Sequence, residues 1–313
     1  MKKIVSILFA SSLLLAACAS TETTTSPTAD LVETTVAEKI QIVAGFYPLA
    51  YAAENIAGDL ADVISLAGPG VDAHDLELTA SDVAKITDAD LVIYIPNFIP
   101  ALDAVIKTLD SSKVINATEG ITLLEGKADS HSDEGHSDDE HSDEGLSDPH
   151  VWLTPKNMIT LGGTIAQAIG AIQANDQIAT NQASFESSLT ALAGDYSTKL
   201  ANCSVKAMIV SHEAFGYLAK EYGFEQVGIS GLSPEAEPSP ARLAEVAKIA
   251  KAEQATTIYY ETLVDPKVAK TLAEELNISA VKLDPLESPP ATGDYLSAMQ
   301  ENLETLFKGQ VCS

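Results

Sequence analysis

Short apolar runs alternate with longer segments of helical spacing along the first half of the chain. The runs predict strands at residues 40–44, 62–67, 89–95 and 113–116. The segments between them predict helices at residues 49–57, 79–87 and 101–109. Because strands that alternate with helices pair in parallel, this half predicts an α/β fold with one parallel sheet flanked by helices.

The same alternation returns after two longer helical segments. Residues 157–174 predict a helix, and residues 176–200 predict one long helix because they contain few helix breakers. The following strands are predicted at residues 206–210, 226–229, 256–260 and 280–283, and the helices at residues 214–222, 240–253, 266–276 and 295–307. The pattern therefore predicts two α/β lobes, at residues 39–175 and 203–313, with a connecting helix at residues 176–202.

The beginning of the chain has the pattern of an export signal. Lys2 and Lys3 precede a mostly apolar run at residues 4–15, which is too short to span a bilayer comfortably. The junction Leu15-Ala16-Ala17-Cys18 resembles the lipobox of bacterial lipoproteins, in which the cysteine is lipidated. We expect a signal peptide at residues 1–17 and a lipid anchor and flexible tether at residues 18–38. The alternative is an ordinary cleaved signal peptide with a chance cysteine.

Length and charge narrow the class of protein. The chain has 313 residues, which favours two domains, and 46% of them are hydrophobic, which is enough for ordinary cores. Its formal net charge is −27, so it repels nucleic acid and anionic lipid surfaces and attracts cations.

An acidic segment at residues 128–148 interrupts the α/β pattern. It repeats His-Ser-Asp every five residues, at His131, His136 and His141, and it contains no basic residue. Such a segment does not build a core, so we expect a disordered loop. Its imidazoles and carboxylates suit an accessory metal-binding loop, and the alternative is a solvated run of charge.

Two cysteines remain beyond the predicted signal peptide and its junction, Cys203 and Cys312. An even pair in an exported protein favours a disulfide, here between the start of the second lobe and the end of the chain. The alternative is two free thiols.

Three histidines lie outside the acidic loop: His74, His150 and His212. Each follows an apolar segment or begins a new element, and ligands of open parallel sheets collect at the carboxyl ends of strands. Neutral imidazole is a good ligand for zinc, and three imidazoles with one carboxylate complete a tetrahedral site. A lone histidine after a strand is also a common capping or surface residue.

Four separated strings carry a family resemblance: GVDAHDLELTASDV, DPHVWLTP, VSHEAFGYLAKEYG and GLSPEAEPSPARL. They resemble, in the same order, the metal-binding solute-binding lipoproteins of bacterial ABC importers, and most closely those of the zinc-uptake type. The resemblance implies a metal buried in the cleft between two lobes that one rigid helix joins. It also implies that His74, His150 and His212 are ligands.

The fourth ligand is sought in the segment 282–288, where the family places a carboxylate. Glu287 is preferred because the string Pro285-Leu286-Glu287 resembles zinc-type members, and Asp284 is the alternate because that position resembles manganese-type members. A helix-capping or solvent-facing acid is the structural alternative for either residue.

Two further acidic features lie in these strings. Glu213 is expected to be a first-turn acid of the following helix, where the helix dipole favours a negative charge, with orientation of a ligand as the alternative. Glu235 and Glu237 lie in a proline-rich loop that the family places near the cleft.

The resemblance implies a monomeric binding protein rather than an enzyme, lipid-anchored on the outer side of the cell membrane. It captures a divalent metal, Zn²⁺ in the first instance, and delivers it to an ABC permease. A manganese- or iron-binding member of the same group is the nearest alternative. A zinc hydrolase is another, although the chain contains neither HExxH nor GxSxG. An adhesin whose metal is incidental is the third.

Overall fold

The structure is a computed structural model, and it describes residues 38–126 and 147–313. Residues Lys39–Ser313 form one compact unit. The predicted signal peptide, Cys18, most of the tether and the three histidines of the acidic loop lie outside the described residues. Among the helices of the described part, none has both the length and the apolar character that a membrane span requires.

The first half folds around a parallel sheet of four strands in the order β2-β1-β3-β4. Its strands are β1 (Ile40–Ala44), β2 (Ala61–Ser65), β3 (Leu91–Tyr94) and β4 (Val114–Asn116). Its helices are α1 (Tyr47–Ala57), α2 (Ala80–Asp88), α3 (Pro100–Ile106) and α4 (Pro155–Ile172).

The second half repeats this arrangement in a second parallel sheet, with the order β6-β5-β7-β8. Its strands are β5 (Ala207–Val210), β6 (Glu225–Gly228), β7 (Thr257–Tyr260) and β8 (Ser279–Lys282). Its helices are α6 (Gly216–Tyr222), α7 (Pro240–Ala252), α8 (Lys267–Leu276) and α9 (Tyr295–Gly309). The predicted fold class, two parallel sheets flanked by helices, is confirmed.

The sequence explains where these elements begin. The Thr79 hydroxyl accepts from the Asp82 backbone N–H while the Asp82 carboxylate accepts from the Thr79 backbone N–H, and this capping box starts α2. Proline occupies the first turn of α1, α3, α4 and α7, where its missing N–H leaves no bond unmade. The central strands β1 and β3 are almost wholly buried, as expected for strands covered on both faces.

The long helix α5 (Asp176–Lys199) lies between the two halves in chain order. It packs against α1 and α4 of the first half and α9 of the second. The Tyr196 hydroxyl on α5 donates to the Met299 carbonyl on α9 at 2.7 Å. The helix ends at Lys199, three residues before the predicted boundary.

Two side chains from the core also join the halves directly. The Trp152 indole Nε1 donates to the Pro285 carbonyl at 2.7 Å, and the Tyr295 hydroxyl donates to the Trp152 carbonyl at 2.5 Å. Trp152, Pro285 and Tyr295 are all buried, and one hydrophobic cluster extends from the first sheet to α9. The halves therefore share a core rather than meeting only at a hinge.

Cys203 and Cys312 form a disulfide, as predicted. Backbone hydrogen bonds accompany it: Ser204 N–H donates to the Val311 carbonyl and Ser313 N–H to the Asn202 carbonyl. The end of the chain is thus fastened beside the start of the second sheet.

The predicted disorder of residues 128–148 is wrong at its last two residues. Ser147 pairs with Glu125 in an isolated antiparallel bridge, and Asp148 N–H donates to the Leu124 carbonyl at 2.8 Å. Asp148 is buried because its carboxylate packs against His150. The rest of the segment lies outside the described residues.

Candidate metal site

Each candidate ligand lies in a loop that follows a strand or leads into a helical turn. His74 lies between β2 and α2, and its backbone N–H donates to Asp72 Oδ1 at 2.9 Å. His150 caps the 3₁₀ turn Val151–Leu153. His212 is two residues past β5, and Glu287 follows β8. Since the strands of each sheet are parallel, loops at their carboxyl ends meet on the same side.

The four side chains converge on one point. The Nε2 atom of His150 lies 3.3 Å from Nε2 of His74 and 3.4 Å from Nε2 of His212. Glu287 Oε1 lies 3.4, 3.8 and 3.7 Å from Nε2 of His74, His150 and His212 respectively. Among the described residues, this is the group whose ligand atoms lie close enough together to hold a metal ion.

These separations match tetrahedral zinc. With zinc–nitrogen bonds of about 2.0–2.1 Å, the ligand atoms of a regular tetrahedron lie about 3.3 Å apart. Five of the six separations are 3.3–3.8 Å, equal to that value or slightly longer, and all four ligand atoms lie within 4.8 Å of one another. Little movement is needed for the four atoms to bind one ion.

The site is deeply buried. His150, His212 and Glu287 are at most 2% exposed, whereas the His74 side chain is 12% exposed. Glu287 Oε1 is buried without a hydrogen-bond partner. A buried carboxylate oxygen without a partner is costly, and a bound cation removes that cost. The donor set therefore fits a divalent metal.

Carboxylates contact the Nδ1 atoms of two imidazoles, whose Nε2 atoms belong to the converging group. His150 Nδ1 lies 2.8 Å from Asp148 Oδ1, and His212 Nδ1 lies 2.7 Å from Glu261 Oε1. The Ser211 hydroxyl also donates to Glu261 Oε1, at 2.6 Å. A carboxylate at Nδ1 favours the tautomer with its proton there, which leaves the Nε2 lone pair free for a metal.

Burial and the neighbouring charges shift the pKa of each of these groups, and the net direction differs from group to group. Burial lowers the pKa of His150 well below its ordinary value, and the neighbouring imidazoles add to the effect. For His212, burial acts in the same direction, but the Glu261 carboxylate outweighs it and raises the pKa. Burial would also raise the pKa of Glu287, yet the surrounding imidazoles hold it below its ordinary range. Burial raises the pKa of Asp148 to about 7.

Sequence reasoning missed Asp148 and Glu261 as partners of the histidines. Asp148 stands two residues before His150, where a short turn returns its carboxylate to the ring and to the His150 backbone N–H. Glu261 directly follows β7, so the rule that polar groups collect at strand ends points to it. Sequence alone did not show which imidazole it meets.

The alternate fourth ligand, Asp284, lies outside the converging group. Its Oδ1 accepts from Leu286 N–H at 2.9 Å, and its Oδ2 lies 3.3 Å from the Thr262 hydroxyl and 3.4 Å from Lys282 Nζ. Asp284 thus shapes the turn that presents Glu287.

The expectation for Glu213 is wrong. Helix α6 begins at Gly216 and has no acidic residue in its first turn, so Glu213 precedes the helix. Its side chain is buried, and its Oε1 lies 3.9 Å from Arg242 Nη2. The guanidinium also donates to the carbonyl of Gly228, the last residue of β6. Arg242 therefore contacts both the end of β6 and the loop that follows β5.

Two parallel-sheet lobes with a buried cluster of three imidazoles and a carboxylate define a metal-binding protein of the solute-binding class. The chain belongs to the family whose model is described as "ZnuA: Zinc-uptake complex component A periplasmic", which matches residues 42–309.

Curated relatives agree with this membership. The chain is 37% identical over 286 residues to the zinc-binding lipoprotein AdcA of Streptococcus pneumoniae, a match that covers 86% of this chain and 55% of the relative. It is 35% identical over 307 residues to the high-affinity zinc uptake system protein ZnuA of Bacillus subtilis, which covers 94% and 93%. The chain spans about half the length of the AdcA relatives that it matches.

Solved structures are similar too. The zinc-bound ZnuA-like domain of Streptococcus pneumoniae AdcA matches with a TM-score of 0.71 and 35% identity, over 87% of this chain and 99% of that one. The laminin-binding protein Lmb of Streptococcus agalactiae, described as bifunctional with adhesin and metal-transporting activity, matches with a TM-score of 0.76 and 31% identity. That match covers 87% and 100% of the two chains.

Proposed function

We propose that this protein captures a zinc ion outside the cell membrane and delivers it to an ABC permease. The ion is held by Nε2 of His74, His150 and His212 and by Glu287 Oε1. The observation that carries the proposal is the buried Glu287 oxygen, which has no hydrogen-bond partner and faces three imidazole nitrogens at 3.4–3.8 Å.

Zinc is preferred over manganese because of the donor set. Three imidazoles and one carboxylate suit zinc, and a nitrogen-rich site binds zinc more tightly than manganese. Manganese favours carboxylates and water, and Asp284, the second carboxylate of this segment, has its oxygens directed to Leu286 N–H, Thr262 and Lys282. The names of the relatives described above support the same choice.

Binding rather than catalysis follows from the number of donors. A catalytic zinc keeps one position open for water, whereas four protein ligands close a tetrahedral site. Delivery therefore requires a partner that disturbs the ligands, and the permease of the importer is the partner that we propose.

The first test is metal content after equilibration with zinc and manganese together. Because Asp148 contacts His150, the loop-deleted variant should lack residues 128–146 only and retain Ser147 and Asp148. We expect one zinc per molecule with and without the loop. One manganese would assign the protein to the manganese-type group, and no retained metal in the loop-deleted form would overturn the ligand assignment.

Zinc held beyond one equivalent by the intact chain alone would support the accessory role of His131, His136 and His141.

Anchoring at Cys18 is proposed from the lipobox-like junction. In a bacterium with lipoprotein processing, the wild-type chain should incorporate labelled fatty acid and a Cys18→Ala variant should not. Equal incorporation by the variant would contradict lipidation at Cys18.

Adhesion is a second candidate function, favoured by the likeness to the Lmb structure. It is separable from metal capture, because a His74/His150/His212→Ala variant removes the ligands. Laminin binding by that variant, measured on immobilised laminin, would support adhesion as an independent activity. Failure of the wild-type chain to bind laminin would exclude it.

A further inference from the structure

A cavity of about 350 Å³ lies in the second half, beside the carboxylate that supports His212. Ser211 and Glu261 both line it, and they are hydrogen-bonded to each other at 2.6 Å. Glu261 Oε1 also accepts from His212 Nδ1 at 2.7 Å. This space, called here the Glu261 cavity, therefore reaches the metal site through a single carboxylate.

The charged groups of the Glu261 cavity are mostly acidic. Glu235, Glu237 and Asp265 line it together with Glu261, against one basic residue, Lys267. Glu261 is only 5% exposed, so its charge acts in a poorly solvated setting. The cavity therefore favours a cationic occupant.

An aromatic ring in the wall already takes part in binding a cation. Tyr260 lines the cavity, and the Lys270 ammonium lies 4.9 Å from its ring centroid. Aromatic faces attract both ammonium and guanidinium groups. The contact shows that this ring binds an ammonium group, here that of Lys270, which is not among the residues that line the cavity.

The remaining walls are apolar. They consist of aliphatic side chains, among them Ile229, Leu263 and Val268, and of the prolines 234, 238 and 266. Apolar walls leading to carboxylates fit the aliphatic stem and charged end of lysine or arginine. A bare metal ion gains nothing from contact with apolar side chains. Among the described residues, the carboxylates of the cavity are also not part of a group that converges on a metal position.

We propose that the Glu261 cavity receives a lysine or arginine side chain of the protein that takes the metal from this one. The proposal rests on the proposed function, since it assumes capture and delivery of zinc. The incoming cation competes with His212 Nδ1 and the Ser211 hydroxyl for the Glu261 carboxylate. When Glu261 turns toward the cation, His212 loses the acceptor that orients its ring, and docking then weakens the hold on the metal.

The probe for this proposal is n-butylguanidinium chloride, whose end group is always charged and offers no lone pair to zinc. The full chain is first loaded with one equivalent of zinc and then titrated with the probe. We expect saturable amide NMR shifts at Ser230, Leu263 and Val268. At saturation, transfer of zinc to a chelator should be about 10-fold faster, the lower end of the effect of losing an outer-shell partner. The control titration uses n-butanol with sodium chloride at equal ionic strength.

A matched pair of variants separates the cavity from general charge. Glu235→Gln/Glu237→Gln removes two charges from the cavity, whereas Glu253→Gln/Glu275→Gln removes two exposed charges elsewhere on the second half. The probe should lose its shifts and its effect on zinc transfer in the first variant and keep both in the second.

Three results would overturn the proposal. They are shifts that do not saturate, an equal response in both variants, and the same cavity shifts produced by a second equivalent of zinc, which would indicate a metal site instead. Failure of the proposed function has a different signature, since the protein would then not retain the first equivalent of zinc.

Discussion

At the scale of single residues, the proposed zinc site depends on Glu287 for charge balance. Replacing it with glutamine keeps the shape but removes the anion opposite three imidazoles. We expect Glu287→Gln to weaken zinc binding by more than the roughly 10- to 100-fold typical of an outer-shell loss. Competition with a zinc chelator measures this. Asp284→Asn is the matched control, because Asp284 points to the turn; an equal loss in both variants would contradict the assignment of the fourth ligand.

The carboxylate behind His150 should have a smaller effect. Asp148→Asn retains an oxygen acceptor near His150 Nδ1 but removes its charge, so the ring is a weaker donor to the metal. We expect about 10-fold weaker zinc binding with unchanged stoichiometry. Chelator competition and metal analysis of the same sample check both parts, and unaltered affinity would show that the 2.8 Å contact does not support the ligand.

Protons compete with zinc for the same nitrogen atoms. His212 has a raised pKa, because the Glu261 carboxylate outweighs its burial, so it takes up a proton at higher pH than His150, whose pKa burial lowers. Since an imidazole must be unprotonated to bind zinc, affinity should fall as the pH drops, and the fall should begin above the ordinary histidine pKa of about 6.5, where His212 takes up its proton. Chelator competition across this range measures it, and a flat profile would contradict imidazole ligation.

At the scale of elements, one glycine sets the distance between α4 and α5. A Cβ at Gly162 would lie 2.6 Å from Phe185 Cε1, whereas a Cβ at Gly170 of the same helix would meet no atom within 4 Å. We expect Gly162→Ala to destabilise the protein by about 1–3 kcal/mol through overpacking. Gly170→Ala should be neutral or stabilising by up to about 1 kcal/mol. Thermal denaturation of both variants tests this, and the same sign of change in both would contradict it.

The order of the elements was predictable because the apolar runs are short, and most of them are followed by a capping residue, a proline or a glycine. Thr79 before α2 and Gly223 after α6 mark such boundaries. Gly162 and Gly170 lower the helix propensity of α4, and the sequence does not reveal that Phe185 requires the missing side chain at Gly162. The strand-end rule pointed to His74 and His212, and the family resemblance added His150. The pairing of Glu261 with His212 depends on the positions of β5 and β7 in the sheet.

At the scale of the whole molecule, the Cys203–Cys312 disulfide closes a long loop. The two residues are 109 positions apart, so the bond restricts the unfolded chain strongly. We expect Cys203→Ser/Cys312→Ser to lower the free energy of unfolding by up to about 4.7 kcal/mol while zinc stoichiometry stays at one. Denaturant unfolding with and without reductant checks this. Reductant should destabilise the wild type alone, and loss of zinc from the folded variant would show that the disulfide also shapes the site.

The hydrogen bonds from Trp152 to Pro285 and from Tyr295 to Trp152 join the two halves close in sequence to His150 and Glu287. The spacing of the four ligand atoms is then set by the protein and not by the bound ion. Calcium takes about six to eight oxygen donors at longer distances than zinc does, and magnesium takes about six oxygen donors, whereas this cluster offers four atoms, three of them nitrogens. We therefore expect both the fixed number of four donors and the chemistry of the imidazoles to discriminate against calcium and magnesium.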